Sequence, residues 1–399
     1  MTLFRHSPFR LTAASLAVAA SLLAASPAYA APEVVRIGVA TAGGGSPVTW
    51  GGSPGGVIRA QELLEKAFEG TGTKVEWLFF KGAGPAVNEA LSNKQIDFAY
   101  QGDLPQVVGR ANGVKTKLLL SSGTRNNLYL VVPPDSDIKS IEDLKGKKVA
   151  IFRGTNGHLV AINVLAAHGL TERDIKGVNL DTGSAQAAIV SKGVDAAFGG
   201  YEYFKLRDQK LVRVAYSTQG KDPSLTRQAS LLVREDFEQA NPDAVQRTVN
   251  VFVKAAAWSS DEANRDELFN IWARSGTPVA SWQAEFADTP LALRNSPLID
   301  DFLIARYEAV VREALDQKLI RRSVTVKDWF EPRYLQVALK ELGLDKRWVA
   351  YDAKGQPVQA VAQTGTQTGA SAGAHAGAQP VAAAPTPAAN APATPVASR

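Results

Sequence analysis

The sequence predicts an α/β protein of two lobes built on mostly parallel sheets. Between residues 34 and 220, short apolar runs alternate with amphipathic segments, as successive βαβ units do. Three times an apolar run ends in Gly-rich polar residues just ahead of a helical segment. These turns are Thr41-Ala42-Gly43-Gly44-Gly45-Ser46, Gln101-Gly102-Asp103 and Arg153-Gly154-Thr155-Asn156-Gly157. The chain has 399 residues and no cysteine, so ordinary apolar packing over about two domains must hold it without disulfides.

The elements follow in order. Residues 34–40 read as a strand, and 57–68 as a helix with Ile58, Leu63, Leu64 and Ala67 near one face. A strand is expected at 74–80, a helix at 84–92, a strand at 96–100 and a helix at 104–111. Strands at 116–121 and 129–132 precede a short helix at 141–144 that Gly146 ends. Residues 148–169 are the most informative stretch. There 149–152 suits a buried strand, and Gly154 and Gly157 permit a sharp turn. Thr155 or Asn156 caps the helix that follows, which carries Leu159, Ile162, Asn163 and Ala166 and stops at Gly169. A strand near 177–180, a helix at 184–191 and strands at 194–198 and 211–216 complete the alternation. From about 242 to 342 the pattern is mainly helical and is expected to pack back on one lobe.

The two ends differ in kind. Residues 1–30 combine basic Arg5 and Arg10, an apolar run at 11–25 and the small-x-small site Ala28-Tyr29-Ala30, the pattern of a secretory signal peptide. Residues 355–399 are rich in Ala, Pro, Thr and Gln and poor in charge and large apolar side chains, so a disordered tail is expected. These features predict an exported protein of the periplasm, secreted by the Sec route.

Composition also excludes. The formal charge of +5 falls to +3 without Arg5 and Arg10, and no basic block is present, which argues against a nucleic-acid partner. With four histidines and no cysteine, no Cys/His metal site can form. Gly-x-Ser-x-Gly occurs only in the Gly-rich loop (51–55) and in the tail (369–373), neither set between a strand and a helix as acyl transfer needs, and no Gly-x-x-x-x-Gly-Lys-Ser/Thr motif occurs. The expectation is therefore no enzyme, no cofactor and no metal.

Several motifs together resemble a known family. They are Arg36-Ile37-Gly38, Ile96-Asp97-Phe98-Ala99-Tyr100-Gln101-Gly102-Asp103 with Pro105, Ile141-Glu142-Asp143-Leu144-Lys145-Gly146-Lys147-Lys148-Val149-Ala150, then Gly154, Asn156 and His158, then Gly193-Val194-Asp195-Ala196. Over about residues 34–320 the chain resembles the periplasmic substrate-binding proteins of ABC importers, in the aliphatic sulfonate, nitrate and taurine group with its thiamine-pyrimidine relatives. The resemblance implies the two-lobed periplasmic binding protein fold of type II. Lobe one would be 34–123 plus 221–340 and lobe two 128–215, with crossover hinge strands near 123–129 and 216–220. It implies a small anionic ligand in the cleft, an ABC permease in the inner membrane as partner, and a monomer. The ligand implied is an organic oxyanion, an alkanesulfonate or taurine-like compound. The alternatives are nitrate, a thiamine-type pyrimidine, or a sensor subunit that presents ligand to a receptor kinase. The chain departs from relatives in a long Gly-rich loop at 43–56 and in Gly199-Gly200-Tyr201-Glu202-Tyr203, where relatives commonly carry Trp-Asp-Pro.

The candidate ligand-binding residues come from the turns and their surroundings. Gly44 and Ser46 lie in the first turn and Trp50 in the loop beyond it. Gln101, Gly102 and Asp103 lie in the second, where Asp103 either binds a polar group or only caps the helix. Gly154, Thr155, Asn156 and His158 surround a helix start suited to an oxyanion, with His158 as a neutral donor. Thr124 and Arg125 sit at the first crossover, Arg125 either pairing with the anion or standing solvated. Tyr201, with Trp50, offers an apolar wall, and Glu202 a counter-carboxylate for a pyrimidine.

Overall fold

The computed structural model describes residues 31–358. The expected signal peptide at 1–30, and all of the expected tail beyond 358, lie outside the described residues.

Ten strands are formed: β1 (Val34–Val39), β2 (Lys74–Phe79), β3 (Phe98–Gly102), β4 (Thr116–Ser121), β5 (Tyr129–Val132), β6 (Lys148–Ile151), β7 (Lys176–Asn179), β8 (Ala196–Gly199), β9 (Arg213–Ser217) and β10 (Ala229–Arg234). They make two five-stranded sheets, ordered β2-β1-β3-β10-β4 and β7-β6-β8-β5-β9. In the first, β1 runs parallel to β2 and β3, and β10 antiparallel to β3 and β4. In the second, β6 runs parallel to β7 and β8, and β5 antiparallel to β8 and β9.

The antiparallel strand in each sheet has a simple cause. The chain leaves the first sheet at the carboxyl end of β4 and enters the second as β5. It returns from β9 to β10. A strand that begins where the others end must run against them. The two crossovers pair through a bridge between Asn126 and Arg227.

Helices cover the sheets: α1 (Pro54–Ala60), α2 (Leu63–Ala67), α3 (Ala83–Ser92), α4 (Asp103–Ala111), α5 (Asn156–Ala167), α6 (Thr182–Val190), α7 (Phe204–Asp208), α8 (Glu235–Ala240), α9 (Pro242–Ser259), α10 (Arg265–Ala273), α11 (Val279–Glu285), α12 (Leu291–Arg294), α13 (Asp301–Asp316) and α14 (Arg333–Glu341). Val35, Ile37 and Val39 of β1 pack with Val249, Phe252 and Val253 of α9 on one face of the first sheet. Ala99, Leu118 and Leu232 pack with Leu303, Tyr307 and Val310 of α13 on the other. The second sheet has its own cores, one including Leu130, Val149 and Val164 and the other Val131, Ile189 and Tyr203. A further cluster centres on Trp272, Trp282 and Phe286 of α10, α11 and the turn after it.

Three sequence expectations change. The helix expected over 57–68 breaks at Glu62, whose φ is 55°. Ile58 and Leu64 are both fully buried in one cluster, yet six residues on a continuous helix would turn them about 120° apart. The break lets both reach the same core. Strand β10 is not signalled by the sequence pattern, because Ala229-Ser230-Leu231-Leu232-Val233-Arg234 is buried on both faces through its first five residues and carries no clean apolar–polar alternation. For the same reason the second crossover, expected at 216–220, extends to the residue before β10.

Candidate functional site

Open α/β sheets gather ligands at the carboxyl ends of their parallel strands. Here those ends meet. The segment after β1, Gln101 and Gly102 at the end of β3, Phe152 after β6, Leu180 after β7 and Gly199 at the end of β8 all line one cavity of about 730 Å³, a size typical of small-molecule sites. Trp50, Tyr100, Phe152, Phe198, Tyr201 and Tyr203 give it an aromatic wall.

Its electrostatics favour an anion. The first turns of α5 and α6 border the cavity through Asn156, Gly157, Thr182 and Gly183. Helix openings present N–H groups without intrahelical acceptors and a partial positive charge. Ala83, at the start of α3, and Gly102, the N-cap of α4, also line it. Arg227 lines it from the second crossover. Its Nη2 donates to the Asn127 carbonyl at 2.7 Å, while its buried Nε has no hydrogen-bond partner. Lys81 and Asp181 reach across from opposite sheets and pair at 3.7 Å.

Of the anticipated residues, Trp50, Gln101, Gly102, Thr155, Asn156, Tyr201 and Glu202 line the cavity. Trp50 is held by donation to Ser53 Oγ (3.0 Å) and by the Tyr100 ring, 5.3 Å away. Thr155 caps α5 by accepting from the His158 N–H. Asn156 Nδ2 donates to the Gln228 carbonyl at 3.2 Å, tying α5 to the opposite sheet. The Tyr201 ring packs on Trp282 at 4.2 Å.

The other anticipated residues stand elsewhere, each for a visible reason. His158 is buried inside α5. Its Nδ1 accepts the Gly154 N–H (3.3 Å), and its Nε2 faces Glu172 Oε2 at 3.2 Å. Burial pushes its pKa down against the pull of Glu172, so the ring is neutral with its proton directed at Glu172, not at a ligand. Arg125 turns away because its backbone is left-handed (φ 53°). Its guanidinium lies over the rings of Phe302 and Tyr351, 4.0 and 4.6 Å from their centres. Thr124 donates to the Leu293 carbonyl (2.9 Å). Asp103, the first residue of α4 and not its N-cap, accepts from the Leu104 and Gln228 N–H groups at 2.7 and 3.2 Å and so ties the helix start to the second crossover. Burial raises its carboxyl pKa to about 6. Gly154 packs on the Pro85 ring, Gly44 bridges to Thr49, and Ser46 is exposed at the tip of the same loop.

Arg227 was missed in the sequence because it belongs to no motif. Lys81, Asp181 and Asn126 were missed likewise. The one available signal was position: each follows a strand end or lies in a crossover.

A family model described as NMT1/THI5 like matches residues 68–264. The periplasmic sulfonate-binding protein SsuA of Methylobacillus flagellatus KT is 31% identical, with a TM-score of 0.68 and a match covering 80% of this chain and 97% of that one. The chain belongs to the substrate-binding proteins of ABC importers. This binding protein is also 27% identical, over 294 residues, to a Bacillus subtilis (strain 168) protein named for binding aliphatic sulfonates, with 72% of this chain and 86% of the relative covered. The alkanesulfonate-binding protein SsuA of Xanthomonas axonopodis pv. citri, bound to MOPS, is 25% identical with a TM-score of 0.65, covering 76% of this chain and 99% of that one. The fold alone is shared with the desulfurization enzyme DszB, at 17% identity and a TM-score of 0.59.

Proposed function

We propose that this binding protein captures an organic oxyanion, an alkanesulfonate or taurine-like compound, between its two sheets and presents it to an inner-membrane ABC permease without transforming it. The observation that carries this reading is the convergence of Arg227 with the opening turns of α5 and α6 on one aromatic-walled cavity. Fixed N–H dipoles and a guanidinium recognise the acid group, and the rings take up the organic part. The sulfonate-binding names of its relatives support the same ligand class. The reading of a carrier, not an enzyme, rests on relatives that are binding proteins over most of this chain.

The lobes in this reading are 34–123 with the chain from β10 to 340, and 128–215, the expected start of the second part of lobe one at 221 moving to β10 with the longer crossover. They close about the paired crossovers as hinged domains do. A monomer in the periplasm, exported by a Sec signal at 1–30, completes it. Thermal unfolding with a panel of sulfonates, sulfate, nitrate, taurine and pyrimidines tests the reading. A ligand at one hundred times its Kd stabilises by about 2.7 kcal/mol, so an organosulfonate should raise the midpoint at micromolar to millimolar concentration. Response to nitrate or a pyrimidine alone would replace the ligand class.

A further inference from the structure

Four charged side chains line the cavity: Lys81, Asp181, Glu202 and Arg227. Lys81 and Asp181 pair with each other, and Asp181 also accepts from Ser184 as the cap of α6. Glu202 and Arg227 form no ion pair with any described residue. Each is nonetheless held in place. Glu202 Oε1 accepts the Gly200 N–H at 2.9 Å, and its main-chain carbonyl accepts from Gln186 Nε2 at 2.7 Å. Arg227 is fixed by its bond to the Asn127 carbonyl. Both groups crowd the same point above Gly200, where an added Cβ would collide with Arg227 Nη2 and Glu202 Oε2. Glycine at 200 therefore leaves an opposite-charged pair of groups side by side, separated and unpaired.

A further unpaired polar atom stands elsewhere in the lining. Gln101, 1% exposed, lines the cavity, and its Oε1 has no hydrogen-bond partner. That orientation is fixed by a relay. Asn88 Nδ2 donates to the Pro105 carbonyl (2.7 Å), which leaves Asn88 Oδ1 to accept from Gln101 Nε2 (3.1 Å). That oxygen lies toward Gly84 of α3, apart from the Glu202 carboxylate and the Arg227 guanidinium.

We propose that Glu202, with Arg227, is a specificity determinant that selects oxyanions carrying a cationic nitrogen a few bonds from the acid group. The proposal deepens the oxyanion reading and rests on it. A plain alkanesulfonate answers Arg227 but brings its negative charge toward Glu202 in an enclosed site. An aminoalkanesulfonate answers both groups, because its ammonium donates to Glu202 Oε2 while its sulfonate meets Arg227.

Calorimetric titration of the full protein with matched pairs tests this: 3-aminopropane-1-sulfonate against butane-1-sulfonate, and 4-aminobutanoate against pentanoate. Each pair differs chiefly in ammonium against methyl. The expected result is an amine preference of about tenfold or more, equivalent to about 1.4 kcal/mol. Glu202→Gln, which keeps an acceptor for the Gly200 N–H, should abolish that preference, so that the two members of each pair bind within about threefold of one another. Equal or tighter binding of butane-1-sulfonate by the wild type overturns the proposal, as does a preference that survives in Glu202→Gln. An amine preference seen only among the carboxylates keeps the charge pair and removes the sulfonate. Failure of all four probes to bind overturns both.

Discussion

Glu285 offers the sharpest test of how the two sheets are joined. It is fully buried on α11, and its Oε1 accepts from Arg294 Nη2 at 3.0 Å in an ion pair whose partner is 1% exposed. The Tyr129 hydroxyl donates to its Oε2 (2.6 Å) from β5, and the Asn127 side chain and N–H donate to its Oε1 (3.1 and 3.3 Å) from the first crossover. Arg294 Nη2 also donates to Asn126 Oδ1. One carboxylate therefore anchors the helical layer, the crossover and the second sheet together. In Glu285→Ala, a guanidinium with two nitrogens already lacking partners is left buried without a counter-charge. Removing one member of a buried pair costs about 3–5 kcal/mol, so with a urea slope of about 3 kcal/mol/M the midpoint should fall by about 1–1.7 M. The assay is urea unfolding followed by tryptophan fluorescence and far-UV circular dichroism. The double variant Glu285→Leu with Arg294→Met removes both charges and should recover most of the loss, since paired replacement by apolar residues is far less costly. A midpoint shift below about 0.3 M at unchanged slope for Glu285→Ala would refute the reasoning, because so small a change is that of an exposed ion pair.

The other predictions concern the cavity and its surroundings. Gly102→Ala should weaken binding of the tightest sulfonate about 5- to 150-fold, the effect of 1–3 kcal/mol of overpacking in the closed form; a Cβ there would stand 2.5 Å from the Asn156 side chain of the opposite sheet, and Asn156→Gly in the same background should restore affinity in calorimetry. Arg227→Gln should lower affinity for the same sulfonate about 10- to 150-fold, as loss of a charge-assisted bond does, with its thermal midpoint in ligand-free buffer nearly unchanged; undiminished affinity would remove Arg227 from the site. Asp103 has a folded pKa of about 6, above its ordinary 3.8, so the native state binds more protons than the unfolded chain between those values and stability falls as pH rises through that window. Asp103→Asn should therefore flatten that decline in urea midpoints measured from pH 4 to 7 by up to one proton's slope, and identical slopes would contradict the assignment.

Much of this architecture can be read from the residues. The repeated passage from apolar run to glycine turn to helix announces both sheets, because a parallel strand must hand over to its helix at the cleft end. Thr155 and Asn156 are legible for that reason: they open α5 where β6 stops. Arg125 and His158 mislead for a related reason. Each has suitable chemistry at a suitable position, but a left-handed φ at Arg125 and the reach of Glu172 to His158 send their side chains the other way. Neither is encoded in a local pattern. Arg227 is illegible because its value depends on β10, a strand buried on both faces with no clean apolar–polar alternation to announce it.

The order of strands in the first sheet also governs how the chain can assemble as it is synthesised. β3 and β4 are not neighbours; only β10 lies between them and joins them. Until residue 234 has left the ribosome, β4 has no partner in its sheet, whereas β5 to β9 form a contiguous stretch that can complete its own hydrogen-bonded ladder first. The half whose sequence begins earlier is therefore the half that closes later. Its unsealed edges at β3 and β4 are the place where a nascent chain of this kind is most open to mispairing.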